Sequence, residues 1–144
     1  MTFLAKDIRD HLAGSDNIAN EFSNRMFPDV APQGVEHPWI NISDLTNEPE
    51  YYLGGEAGLH TTVIQVDVWT DGSGKRAEAN RLGELVRNRL NGYRGQFGAG
   101  CTGTARMIRN NTVTAPPVNG SDQHRWRVSM DFEVIHTADV PDFT

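Results

Sequence analysis

The segment 124–136 constrains the fold more than any other part of the chain. Trp126, Val128, Met130, Phe132 and Val134 fall on one face, and Arg125, Arg127, Ser129, Asp131 and Glu133 fall on the other. A period of two is the repeat of a strand, whose successive side chains point to opposite sides of a sheet. A slip of one residue would carry all five apolar side chains into water, so the register is firmly set. Each large apolar side chain buried contributes roughly 1.5–3 kcal/mol. The chain must therefore build a sheet with one covered face and one charged face.

The rest of the pattern supplies partners for that strand. Residues 59–70 alternate Ile64, Val66 and Val68 against Gln65, Asp67 and Trp69, a second long strand. Residues 39–45 alternate more briefly, and 104–111 form a weaker strand in which Arg106 and Arg109 break the alternation. Two helices can cover the apolar face. Leu4, Ile8 and Leu12 recur every four residues, with Thr2 placed to cap the start and Gly14 to end the helix in a left-handed turn. In 75–90, Ala79, Leu82, Val86 and Leu90 form an apolar stripe widened by Leu85, and Asn91-Gly92 supplies the stop. Residues 17–25 predict a further short helical piece, with Ile18 and Phe22 on one face.

Between these elements lie segments of irregular composition. Pro28, Pro32 and Pro38 exclude a helix interior or a central strand in 25–38, which reads as a pinned, extended connector. The stretches 47–58 and 112–122 read as long loops, the class that often carries function. Residues 93–103 are glycine-rich and predict a mobile segment, and the tail from about 137 predicts a flexible projection. The order is α-β-β-α-β-β. It predicts an α+β fold, with a mainly antiparallel four-stranded sheet and helices on one face. The 144 residues amount to one domain, 1–144.

Composition narrows the function. With 13 Lys+Arg against 19 Asp+Glu, the net charge is −6, which disfavours a broadly basic nucleic-acid clamp. One cysteine, Cys101, excludes an internal disulfide and fits a protein made in a reducing cytoplasm. No segment approaches the ~20 apolar residues of a membrane span, and the first residues lack the apolar run of a secretory signal. The five histidines, His11, His37, His60, His124 and His136, show no metal-binding spacing. Asp71-Gly72-Ser73-Gly74-Lys75 lacks the spacing of a phosphate loop. Cys101 lacks the scaffold of a nucleophile. Asp67, Asp131, Glu133 and His136 could be imagined as the acids and base of a small hydrolase. A solvated or subunit-facing charged surface accounts for the same residues more simply. No catalytic, metal or cofactor residue is assigned.

The stretch Arg25-Met26-Phe27-Pro28-Asp29-Val30-Ala31-Pro32-Gln33-Gly34, followed by His37-Pro38-Trp39-Ile40, resembles the phage tail completion family, the siphophage tail terminators. Val66-Asp67-Val68-Trp69 followed by the helix 77–90 matches the family's next block in order and spacing. The resemblance implies a non-enzymatic virion protein of the tail and neck, assembled in the host cytoplasm. It implies a hexameric ring that caps the tail tube, stops its polymerisation and offers a docking surface to the head connector or stopper. Expected partners are further copies of the chain, the tail tube protein and the connector. DNA would pass through the lumen without sequence-specific binding, which an acidic balance suits. A head-completion protein of the same neck region is the closest alternative. The expected contact residues are Tyr51, Tyr52 and Leu53 in the first long loop, and Trp69, Arg125, Arg127, Asp131 and Glu133 on the charged face.

Overall fold

A computed structural model describes residues 4–52, 55–71, 76–115 and 125–137. Nine elements follow in order: α1 (Leu4–Ala13), α2 (Asp16–Phe22), β1 (Met26–Pro28), β2 (Trp39–Tyr52), β3 (Gly55–Thr70), α3 (Arg76–Leu90), β4 (Arg94–Gln96), β5 (Thr102–Ala115) and β6 (Arg125–Thr137). The fold is α+β, but the sheet has six strands rather than four, in the order β1-β2-β3-β6-β5-β4. The four long strands are antiparallel to their neighbours, while β1 runs parallel to β2, which makes the sheet mixed. The extra strands β1 and β4 have three residues each, too short to leave a periodic signature.

The alternation in β6 is realised in full register. Val128, Met130, Phe132 and Val134 are buried opposite Val68, Val66, Ile64 and Thr62 of β3. Ile40 and Ile42 of β2 extend the same face. Against it pack α1, through Leu4, Ile8 and Leu12, and α3, through Ala79, Leu82, Val86 and Leu90. The short α2 joins them with Ile18 and Phe22. Gly83 lets α3 approach β6 closely, since a Cβ there would press on the Val128 side chain at 2.9 Å. Arg25 ties the proline connector down by donating from Nε to the Pro38 carbonyl at 3.1 Å.

Four expectations need correction. Gly14 ends α1 without a left-handed backbone, its N–H bonding to the Asp10 carbonyl at 3.1 Å. Residues 47–52 and 55–58 are strand rather than loop, the outer parts of β2 and β3, paired as far as Tyr52 opposite Gly55. Asn47 and Glu48 are polar and exposed, so the stretch carries no apolar alternation. The glycine-rich stretch 93–103 is packed, with Phe97 buried beside His11 and Tyr93. Its glycines serve close approach rather than mobility: a Cβ on Gly100 would collide with the Asp7 carboxylate, and one on Gly103 with the Ile135 carbonyl. Residues 112–115 close β5 instead of opening a loop. Thr2, the turn 72–75, 116–122 and the tail beyond Thr137 lie outside the described residues.

Candidate functional site

The sheet face that no described helix covers presents ordered rows of polar and aromatic side chains, set by strand register. Across β2, β3, β6 and β5 the first row is Trp39, Trp69, Arg127 and Val113. The second is Asn41, Asp67, Ser129 and Asn111, and the third is Ser43, Gln65, Asp131 and Arg109. Glu133 and Arg106 begin the fourth, joined by Arg106 Nε donating to Glu133 Oε1 at 3.1 Å.

The first row is a stack. The Trp39 and Trp69 rings lie 5.5 Å apart and 10° from parallel. The guanidinium groups of Arg125 and Arg127 sit 4.9 and 5.5 Å from the Trp69 ring centre. The edge of Phe27 meets Trp39. Flat arginines over an electron-rich ring are held by its quadrupole, at about 0.5–1 kcal/mol for each exposed pair. The sequence placed Trp69, Arg125 and Arg127 on this face; the stack with Trp39 needs the cross-strand register, which one strand's periodicity does not contain.

Below the stack the face is polar but sheltered. Gln65 donates to Ser129 Oγ at 2.8 Å. Ser129 and Asp131 are buried, contrary to a freely solvated surface. Burial pushes the Asp67 carboxyl above its usual range, and the negative charge of Asp131 adds to this. Ser129 and the Arg127 charge act the other way. Asp67 Oδ1 and Arg127 Nε are buried with no hydrogen-bond partner among the described residues. Buried polar atoms are nearly always paired with protein or water.

The hydrolase arrangement does not form. His136 lies on the helix-covered face, hydrogen-bonded through Nε2 to Thr62 Oγ1 at 2.7 Å. The sheet separates it from Asp67, Asp131 and Glu133. Among the described residues, no group of three or more His, Cys, Asp or Glu could hold a metal. Cys101 is half-buried, and burial, with the Asp7 carboxylate beside it, pushes its thiol up to about 12. An open groove of about 440 Å³ between α3 and β5 is lined by Arg76, Asn80, Glu84, Asn110, Asn111 and Thr112, chiefly amides and hydroxyl rather than converging acids. Tyr51 and Tyr52 end β2 opposite Glu56 and Gly55, away from the stack. Leu53 lies outside the described residues. The expected contact residues thus divide between the hairpin arm and the open face.

The family model of tail completion protein gp17 matches residues 6–137. No curated protein matches the sequence. A solved chain from the "Virion of native gene transfer agent (GTA) particle" is similar at a TM-score of 0.64 and 16% identity. That alignment covers 94% of this chain and 95% of the other. At such identity the likeness is one of fold.

Proposed function

The chain belongs to the tail completion protein gp17 family, and from that premise we propose that it is a ring-forming tail terminator. Membership makes it a structural component of the virion tail and neck, not an enzyme. In the proposed role several copies close into a hexameric ring on the head-proximal end of the tail tube. The ring stops tube polymerisation and presents a surface to the connector or stopper protein. DNA crosses the lumen without base-specific contact. The match across 6–137, essentially all of the described fold, carries this reading. The sheltered open face supports it. A stack of tryptophans and arginines beside unpartnered polar atoms suits a surface covered on assembly better than one that processes a small molecule.

Tyr51, Tyr52, Leu53, Trp69, Arg125, Arg127, Asp131 and Glu133 are the proposed contact residues for neighbouring copies, tube and connector. The test is electron microscopy of particles made without this protein. Filled heads unjoined to tails, with tubes of abnormal length, are expected. Normal joined particles would remove the role.

A further inference from the structure

Beyond the three-residue end strands β1 and β4, the long strands β2 and β5 leave most of their outer edges unpaired among the described residues. β1 pairs only with 40–42 of β2, and β4 pairs only with 102–104 of β5. Among the described residues no strand lies outside 43–52 of β2 or 105–115 of β5. Unpaired edge N–H and C=O groups are a template for another chain. Near Ala105 and Met107 the β5 edge is tied to its own subunit, with Ala105 N–H bonded to Tyr93 and Met107 N–H to Asn91.

The two edges are matched in three ways. Each pairing shifts register within the strand, between Asp44 and Thr46 in β2, which shifts again between Pro49 and Tyr51, and between Met107 and Arg109 in β5. The residues at those bulges, Leu45 and Ile108, are large, apolar and about half exposed, at 49% and 48%. The charges are opposite. β2 carries Asp44, Glu48 and Glu50 without a Lys or Arg, whereas β5 carries Arg106 and Arg109 without an Asp or Glu. Glu48, opposite Thr61, and Arg109, opposite Asp131, share the open face. The directions also agree. The long strands alternate across the sheet, so β2 and β5 of one subunit run oppositely. Rotating a copy about an axis along the strands sets its β2 antiparallel to the first copy's β5.

We propose that the β2 edge of one copy docks on the β5 edge of the next, with Leu45 and Ile108 packed at the seam and Glu48 of β2 beside Arg106 of β5, both on the open face. This rests on the ring reading and supplies its contact. The contact is heterologous, the kind that closes into a ring under a fixed rotation. Bulges and charges on an edge also discourage indiscriminate pairing. Here they do so selectively: β2 against β2 sets acid on acid, β5 against β5 sets arginine on arginine, and only the mixed pair is complementary.

The experiment uses the full chain carrying Cys101→Ser, with Leu45→Cys, Ile108→Cys or both, and a short bis-maleimide. Neither single variant should cross-link to itself, an equal mixture of the two should give covalent dimers, and the double variant should give a ladder ending at the copy number of the ring. Separately, Glu48→Arg or Arg106→Glu should raise the concentration for half-assembly by about tenfold or more, and combining the two should restore assembly. Intact rings with neither cross-link nor charge rescue would overturn the edge contact while leaving the ring. A chain that stays monomeric at every concentration, and on isolated tail tubes, would overturn both.

Discussion

The two faces of this one sheet are built from the same strands and do opposite work. On the covered face, Ile40, Ile42, Ile64, Val66, Val68, Met130, Phe132 and Val134 make no specific demand beyond shape and dryness. On the open face, Trp39, Trp69, Arg127, Asp67 and Ser129 are held by stacking and hydrogen bonds, and some of their polar atoms stay unpartnered. Stability is concentrated where the helices lie, and recognition where they do not. Substitutions should separate the two.

The largest effect should come from Phe132→Ala, which empties the centre of the covered face. The expected cost is about 3–5 kcal/mol, read from urea unfolding, and soluble yield should fall with it. Trp69→Ala removes the stack and the seat of both arginines. It should cost about 1–2 kcal/mol yet abolish attachment to tubes in a co-sedimentation assay. If attachment survived, the division of labour between the faces would be wrong.

Acid should distinguish the faces as well. Burial lowers the pKa of His11 and His136, so the unfolded chain takes up those protons first. Their contribution to stability is fully present above the ordinary histidine value of about 6.5 and is lost as pH falls below it. Stability should fall between pH 7 and 5, and His136→Gln should flatten that slope. Asp67 behaves in the opposite sense. Its raised pKa means that the folded state holds its proton more tightly than the unfolded chain, so acidification relieves a burden. Asp67→Asn should therefore stabilise the fold slightly at pH 7, the smallest change of the set, and the gain should vanish towards pH 4. Thermal unfolding at the two pH values checks it.

Much of the covered face was legible because it obeys a period: two in β3 and β6, near 3.6 in α1 and α3. The residues that break these periods were read less well. Residues 47–52 pair along the hairpin with little apolar content, so a strand resembled a loop. The glycines at 98, 100 and 103 suggested mobility, although Gly100 and Gly103 mark where the chain crowds Asp7 and Ile135. The open face was half legible. Its membership followed from alternation, which named Trp69, Arg125, Arg127, Asp131 and Glu133. Its arrangement followed from registers that only the neighbouring strands define, so the Trp39 stack and the shelter of Asp131 were not visible. His136 is a different case: it has the parity of Val134, so the alternation of its own strand already puts it on the covered face, away from Asp131 and Glu133.

The position of β6 has a consequence for manufacture. It leaves the ribosome after every other strand among the described residues, yet it lies between β3 and β5. Until it arrives, the β2–β3 hairpin and the β4–β5 hairpin are separate ribbons with no shared ladder. A chain cut short before Arg125 would leave two sticky inner margins and no finished subunit. Synthesis thus carries its own proofreading: only a complete polypeptide knits the halves together.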